Sequence, residues 1–220
     1  MYKYVLIDLD NTLLDFNIAE KEALNKVFLS EQIELNDDMM DRYKNINGKL
    51  WAELESGIIT RKELLDTRFE KFFKSIGIEA DGIEKEMLFR EVLNNSHELI
   101  EDAEELLQYL KAKGIITCSA SNGVYHTQMQ RMKASGIYKY FDYHFISEKI
   151  GYEKPDVRFF EHCFEALRIK DKAEVLMIGD TISSDIEGSK NAGIDSCYFG
   201  DKDVSATYTI RNLNDMKVIL

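Results

Sequence analysis

Three short apolar runs, each broken off by polar residues, constrain this chain more than any other feature. Tyr4-Val5-Leu6-Ile7 stops at Asp8-Leu9-Asp10, Ile115-Ile116-Thr117-Cys118 is followed by Ser121-Asn122-Gly123, and Val175-Leu176-Met177-Ile178 is followed by Gly179-Asp180. A short continuous apolar run is how a strand buried on both faces reads, and a polar cluster at its carboxyl end is how such a strand opens onto a site. Helical patterns alternate with these runs. Ala103 to Lys113 places Leu106, Leu107 and Leu110 on one stripe and ends at Gly114, while Phe159 to Leu167 does the same with Phe160, Cys163, Phe164 and Leu167. The alternation predicts an α/β fold, a Rossmann-like parallel sheet core whose site lies along the carboxyl edge of the strands.

The stretch between the first and second runs is far too long for an ordinary crossover, and it is patterned as helices. Ala19, Ala23, Leu24, Val27 and Phe28 form one stripe, and Met40, Tyr43, Leu50, Trp51 and Leu54 form a second. Thr60 with Glu63 reads as a capping box, followed by Leu64, Leu65, Phe69, Phe72 and Phe73 up to Gly77, and a further helix covers Ile83 to Leu93. The expectation is an inserted helical cap domain over residues 15–95, with 1–14 and 96–220 forming the α/β core. Trp51, Phe69, Phe72 and Phe73, at helical spacing, read as packing residues.

Charge narrows the partners. The formal net charge of −12 gives a field that repels nucleic-acid backbones and anionic membranes. It leaves room for a small phosphorylated ligand, which responds to local donors and metal. The three cysteines, Cys118, Cys163 and Cys197, are dispersed in apolar or amphipathic stretches without a C-x-x-C pair, so they read as buried free thiols. No basic stretch leads into an apolar signal core, and no segment approaches the roughly 18 apolar residues of a membrane span. A cytoplasmic protein with no membrane partner is expected. His97, His126, His144 and His162 are too scattered to suggest a histidine metal site.

The chemistry concentrates at the run ends. In Asp8-Leu9-Asp10-Asn11-Thr12 two carboxylates lie two residues apart where the strand period breaks, so both can approach one ligand. Gly179-Asp180-Thr181-Ile182-Ser183-Ser184-Asp185 supplies further acids after another strand. Carboxylates converging on one sheet edge are what Mg2+ and a phosphate require. Ser121, Asn122 and Gly123 offer side-chain and backbone donors to phosphoryl oxygens, and Lys154, beside the sole proline Pro155, offers a positive charge.

Taken in order, Asp8-Leu9-Asp10-Asn11-Thr12, Ser121-Asn122-Gly123, Lys154-Pro155 and Gly179-Asp180 with Asp185 resemble the four motifs of the haloacid dehalogenase-like (HAD) superfamily, and an insertion directly after the first motif is similar to members with a helical cap of type 1. The nearer likeness is to pyrimidine-preferring 5′-nucleotidases, carried by Phe141-Asp142, Phe145-Ile146-Ser147-Glu148, Gly151-Tyr152-Glu153-Lys154-Pro155-Asp156 and Ile178 to Gly188. Serine replaces the usual threonine at Ser121 and preserves the hydroxyl; Ser119 is the alternative in that register.

The resemblance implies a magnesium-dependent phosphate monoester hydrolase that forms an aspartyl-phosphate. It assigns Asp8 as nucleophile, Asp10 as general acid and base, and Ser121, Asn122 and Lys154 to the phosphate. Its metal ligands are Asp8, the Asp10 backbone carbonyl, Asp180 and Asp185, the last directly or through water; a helix-terminal role is the other reading of Asp185. Thr12 is expected to hydrogen-bond within the loop. Phe16 and Tyr125 stand as substrate contacts against a packing role for each. The expected substrate is a nucleoside monophosphate, and the protein is a monomer or homodimer. Phosphoglycolate and sugar-phosphate phosphatases share much of this text, and a phosphosugar mutase shares the aspartyl-phosphate step. A catalytically idle binding or regulatory protein would lose the carboxylates retained here. A haloacid dehalogenase proper would lack the second acid of the first motif, Asp10.

Overall fold

The computed structural model describes residues 1–220. In chain order the regular elements begin with β1 (Tyr4–Ile7), α1 (Phe16–Ser30), α2 (Asp37–Glu55), α3 (Arg61–Ser75), α4 (Gly82–Leu93) and α5 (Ala103–Ala112). They continue with β2 (Ile116–Ser121), α6 (Tyr125–Ala134), β3 (Tyr143–Ile146), α7 (Ser147–Ile150), α8 (Val157–Leu167), β4 (Val175–Gly179), α9 (Glu187–Ala192), β5 (Asp195–Phe199), β6 (Tyr208–Ile210) and α10 (Met216–Ile219). The chain divides into two compact units, Met1–Phe16 with His97–Leu220, and Asn17–Ser96.

The first unit is built on a six-stranded sheet in the order β3-β2-β1-β4-β5-β6, with every pairing parallel. A parallel sheet needs cover on both faces, and the side chains of β1 show how that is met. Val5 and Ile7 pack with Leu106, Leu107, Leu110 and Ile178 on one face, while Leu6 packs with Phe159, Phe160, Cys163 and Met177 on the other. Each fully buried Leu or Phe contributes about 1.5–3 kcal/mol of transfer free energy, so these layers hold the central strands rigidly. Because β1 lies between β2 and β4, with Ile7 opposite both Ser119 and Ile178, the residues that follow these three strands emerge side by side.

One strand runs further than its apolar pattern. β2 extends to Ser121, and Thr117, Ser119 and Ser121 alternate with Cys118 and Ala120 in a strand buried from Thr117 onward. These hydroxyls are tolerable because they have partners: Thr117 donates to the Ile115 carbonyl, and Ser119 lies 3.1 Å from His144 Nδ1. Cys118, Cys163 and Cys197 are buried free thiols, and burial pushes all three thiols upward in pKa.

The second unit contains α2, α3, α4 and the body of α1. Phe28, Tyr43, Phe69, Phe72, Phe73 and Phe89 form its aromatic core, with neighbouring ring centroids 5.0 to 6.2 Å apart. Trp51 sits apart, against Leu50, Leu54 and Leu64, with the Arg61 guanidinium 5.6 Å from its ring centre. The Thr60–Glu63 capping box starts α3, Glu63 Oε2 accepting from the Thr60 N–H at 2.7 Å while Thr60 Oγ1 accepts from the Glu63 N–H at 3.2 Å. Arg68 is buried among the rings, and it donates to both carboxylate oxygens of Glu86 at 2.6 and 2.9 Å and to Asn47 at 3.2 Å. No helix of the protein is long and apolar enough to cross a membrane.

Candidate active site

Asp8 continues the β1 ladder by one residue, its N–H donating to the Ile178 carbonyl at 2.9 Å. The chain then leaves the strand geometry. Asn11 adopts φ 59°, a left-handed conformation that asparagine tolerates better than most residues, and the Leu9 carbonyl accepts the N–H groups of Leu13 and Leu14 at 3.0 and 2.8 Å. This turn abolishes strand alternation, so Asp10 does not simply follow the face opposite Leu9.

Asp180 follows β4, and Asp185 lies in a π-helical turn over Ile182–Ile186. Asp185 Oδ2 accepts the Thr181 N–H at 3.0 Å, which folds its carboxylate back over the strand end. Gly179 makes that possible: a Cβ there would stand 2.2 Å from Asp185 Oδ2. Carboxylate oxygens of Asp8, Asp180 and Asp185 lie within 4.8 Å of one another.

Lys154 enters the same space. Its ammonium donates to Asp8 Oδ1 at 2.8 Å, Asp185 Oδ1 at 2.6 Å and the Ala120 carbonyl. The amide of Asn122 fixes the loop that carries it, donating from Nδ2 to the Lys154 carbonyl and accepting the Lys154 N–H at Oδ1, both at 2.8 Å. The Asn122 side chain, read from sequence as a phosphate donor, is thus engaged in placing Lys154.

The electrostatics follow from crowding. Burial pushes the Asp8 carboxyl well above its ordinary range; Lys154 opposes this, and Asp185, Asp180 and Asp10 add to it. Asp180 is pushed up to about 6, first by burial and next by Asp185. Burial lowers the affinity of Lys154 for its proton, but Asp185 and Asp8 outweigh that penalty and hold it above the usual lysine range. One ammonium therefore faces three clustered carboxylates. Hard oxygen donors crowded at this separation, with negative charge left over, fit a hard divalent cation.

A second network lies beside the first. Gln128 Nε2 donates to Asp10 Oδ2 at 2.6 Å and to Ser121 Oγ at 2.8 Å, and the Gly123 N–H donates to the same Oγ at 3.0 Å. Arg131 donates to Asp10 Oδ1. The Ser121 oxygen accepts from two donors, which directs its own O–H away from them.

Other sequence expectations fare differently. Ser119 faces His144, so Ser121 is the β2 serine that stands with Asp10. The Thr12 hydroxyl is fully buried without a hydrogen-bond partner, a departure from the expected loop bond. The half-buried Phe16 ring lies 5.6 Å from the Arg131 guanidinium, and the Tyr125 N–H donates to Glu148 at the start of α6. Gln128 and Arg131 were invisible to motif reading. The available signal was a polar pair three residues apart on the helix after Ser121-Asn122-Gly123, where a core-facing stripe would be apolar.

A family profile described as haloacid dehalogenase-like hydrolase matches residues 2–193. The HAD-hydrolase YfnB of Bacillus subtilis is 37% identical over 225 residues, covering 100% of this chain and 95% of its own. A YfnB crystal structure bound to magnesium, which reveals interdomain movement in that protein, superposes with a TM-score of 0.95 over 99% of this chain and 98% of that one, at 38% identity. The pyrimidine 5′-nucleotidase PynA of Streptococcus pneumoniae is 36% identical over 198 residues, 90% of this chain and 84% of PynA. The pyrimidine 5′-nucleotidase YjjG of Escherichia coli is 28% identical over 228 residues, 100% of this chain and 98% of YjjG.

Proposed function

The chain belongs to the haloacid dehalogenase-like hydrolases, and from that footing we propose that it releases phosphate from nucleoside 5′-monophosphates, pyrimidine ones foremost, with magnesium and through an aspartyl-phosphate on Asp8. The observation that carries the chemistry is the buried meeting of Lys154 with Asp8 and Asp185 beside Asp180. The substrate class rests on the similarity to PynA and YjjG along 90% and 100% of this chain.

In this reading an Asp8 carboxylate oxygen attacks phosphorus as the ester P–O bond breaks, and the departing alkoxide takes a proton from the Asp10 carboxyl. A water molecule then returns a proton to Asp10 while its oxygen attacks phosphorus, and the bond between phosphorus and Asp8 breaks. Lys154 and the Ser121 hydroxyl hold phosphoryl oxygens against the negative charge of the acyl-phosphate. Asp8, Asp180, Asp185 and the Asp10 carbonyl are the groups that would hold magnesium, which supplies charge neutralisation to a carboxylate meeting a phosphate. Phe16 and Tyr125 are assigned to the nucleoside.

The test is phosphate release from UMP, dUMP, dTMP, AMP, phosphoglycolate and sugar phosphates, with magnesium and with excess chelator, beside Asp8→Asn. Magnesium-dependent release concentrated on the pyrimidine monophosphates and lost in Asp8→Asn is expected. Preference for phosphoglycolate or a sugar phosphate would replace the nucleotide reading, and an active Asp8→Asn would sink the nucleophile.

A further inference from the structure

The proposed chemistry gives no task to Gln128 or Arg131, yet both side chains are buried to within 1% of full exclusion from solvent. We propose that Gln128 and Arg131 are positioning residues, which set the Asp10 carboxylate and the Ser121 hydroxyl in register for proton transfer and phosphate binding. This rests on the reading of Asp8 and Asp10 given above.

A guanidinium donates and cannot accept, and the nitrogen of a glutamine amide likewise only donates. Arg131 occupies Asp10 Oδ1 and Gln128 Nε2 occupies Oδ2 at 2.6 Å, so both oxygens of one carboxylate are fixed from one helix. Two bonds to two oxygens define the plane of the carboxylate, which a single bond would leave free to rotate. The side chains are three residues apart on α6 and face the same way. Met132, between them and the end of the helix, packs in the apolar layer under β1 and anchors the helix that carries both.

Gln128 does a second thing from the same nitrogen. It donates to Ser121 Oγ at 2.8 Å while the Gly123 N–H donates at 3.0 Å. With both lone pairs of that oxygen engaged, the serine proton has to be offered to another acceptor, and a phosphoryl oxygen is an acceptor of that kind. Gly123 is shaped for this contact: a Cβ there would sit 2.4 Å from Gln128 Nε2. One amide nitrogen thus joins the group that grips phosphate to the group that moves protons.

Accessibility separates direct from indirect action. The Asp10 side chain is 29% exposed while that of Arg131 is 1% exposed, so Asp10 meets solvent and ligand and Arg131 meets Asp10. A purely packing role would be met by leucine or methionine without the cost of burying a guanidinium.

The experiment compares Arg131→Met, Arg131→Lys and Gln128→Met with the unaltered protein in magnesium, on UMP and on p-nitrophenyl phosphate, with stability followed by thermal melting. Nitrophenolate leaves without needing a proton, whereas a nucleoside alkoxide needs one. For Arg131→Met we expect kcat on UMP to fall by about 10-fold to 100-fold with KM changed by less than about 3-fold, and for Gln128→Met a similar fall in kcat together with a rise in KM on both esters, because the Ser121 hydroxyl loses its orientation too. In Arg131→Met the first-turnover burst of nitrophenolate should fall by less than about 3-fold, because only the unprotonated departure is needed there. Arg131→Lys, which keeps a donor at reduced geometry, should recover part of the UMP kcat. A nitrophenolate burst that falls in Arg131→Met as far as kcat on UMP does, or unchanged kcat on UMP in either folded methionine variant, overturns the proposal. Should Arg131→Met fail to fold, Gln128→Met decides by whether kcat on UMP falls while KM rises on both esters, since it removes both shared bonds without unpairing a charge. An active Asp8→Asn would overturn both the underlying assignment and this role, whereas a silent Asp8→Asn with normal Gln128→Met and Arg131→Met overturns this role alone.

Discussion

Lys154 and Asp185 share a 2.6 Å hydrogen bond in a place closed to water, the lysine side chain 1% exposed and the aspartate 0%. Neither charge is tolerable there without the other, and the ammonium also reaches Asp8 at 2.8 Å. The pair is a structural support and, in the proposed reaction, part of the phosphate and metal site, so substitutions at its members have two separable readouts.

Lys154→Met leaves Asp8 and Asp185 facing each other with no cation between them. Breaking a buried pair from one side costs about 3–5 kcal/mol. Urea denaturation in the absence of magnesium should show a loss of that order, and phosphate release should fall below detection even where the variant is fully folded. A folded, active Lys154→Met would remove lysine from the site.

Asp180→Asn keeps shape and removes a charge from the carboxylate cluster, relieving the burial cost that raises Asp180 to about 6. The apo protein should melt no lower than the parent. Its magnesium affinity should fall by about 100-fold or more, since even groups one shell removed from a metal commonly change affinity by 10-fold to 100-fold. Thermal melting checks the first half and isothermal titration the second; unchanged affinity would exclude Asp180 from the cation site.

Gly179→Ala places a methyl group where Asp185 Oδ2 now stands, 2.2 Å from the new carbon. Either the carboxylate or the strand end must move, at a cost of about 1–3 kcal/mol for overpacking. Magnesium binding should weaken together with stability, and a crystal structure of the variant should show Asp185 turned away from the Thr181 N–H.

Glu86 governs how the helical unit responds to acid. Burial would raise its carboxyl, but Arg68 and Arg90 outweigh burial and hold it below the ordinary glutamate range. A depressed folded value means that the stabilisation is present above the unfolded pKa, near 4.3, and is lost as pH falls through the folded one. Melting temperature should therefore drop on acidification below about pH 4.5, and Glu86→Gln should lower stability at neutral pH while flattening that acid limb. An equally steep limb in Glu86→Gln would place the acid sensitivity elsewhere.

The parts of the fold written in local sequence were those whose side chains meet a uniform environment. β1 and β4 read directly, because every residue from Val5 to Ile7 and from Val175 to Ile178 is apolar and buried. The Phe69, Phe72, Phe73 stripe reads directly for the same reason, and the exposed Thr60–Glu63 box does so because its two bonds are local, between residues three apart. β2 was read too short, since Ser119 and Ser121 are polar yet buried, and their partners His144 and Gln128 come from later segments. β5 and β6 went unread: Asp195-Ser196 opens the first with polar residues, and the second has only three residues, Tyr208–Ile210. At the site, the acids and Lys154 stood out because chemistry demands those residue types at strand ends. Gln128 and Arg131 did not, because the residue they serve, Asp10, lies 118 and 121 positions away.

The place of β1 in the sheet also sets an order of assembly on the ribosome. Its two neighbours pair through residues 116–119 and 175–178, so the first strand to be synthesised has no partner until more than half the chain exists. The helical unit, by contrast, is a single uninterrupted segment, Asn17–Ser96, whose ring core needs nothing from downstream. Every residue of the insert is therefore synthesised before either neighbour of β1, and the carboxyl edge bearing Asp8 waits for β4 to be delivered.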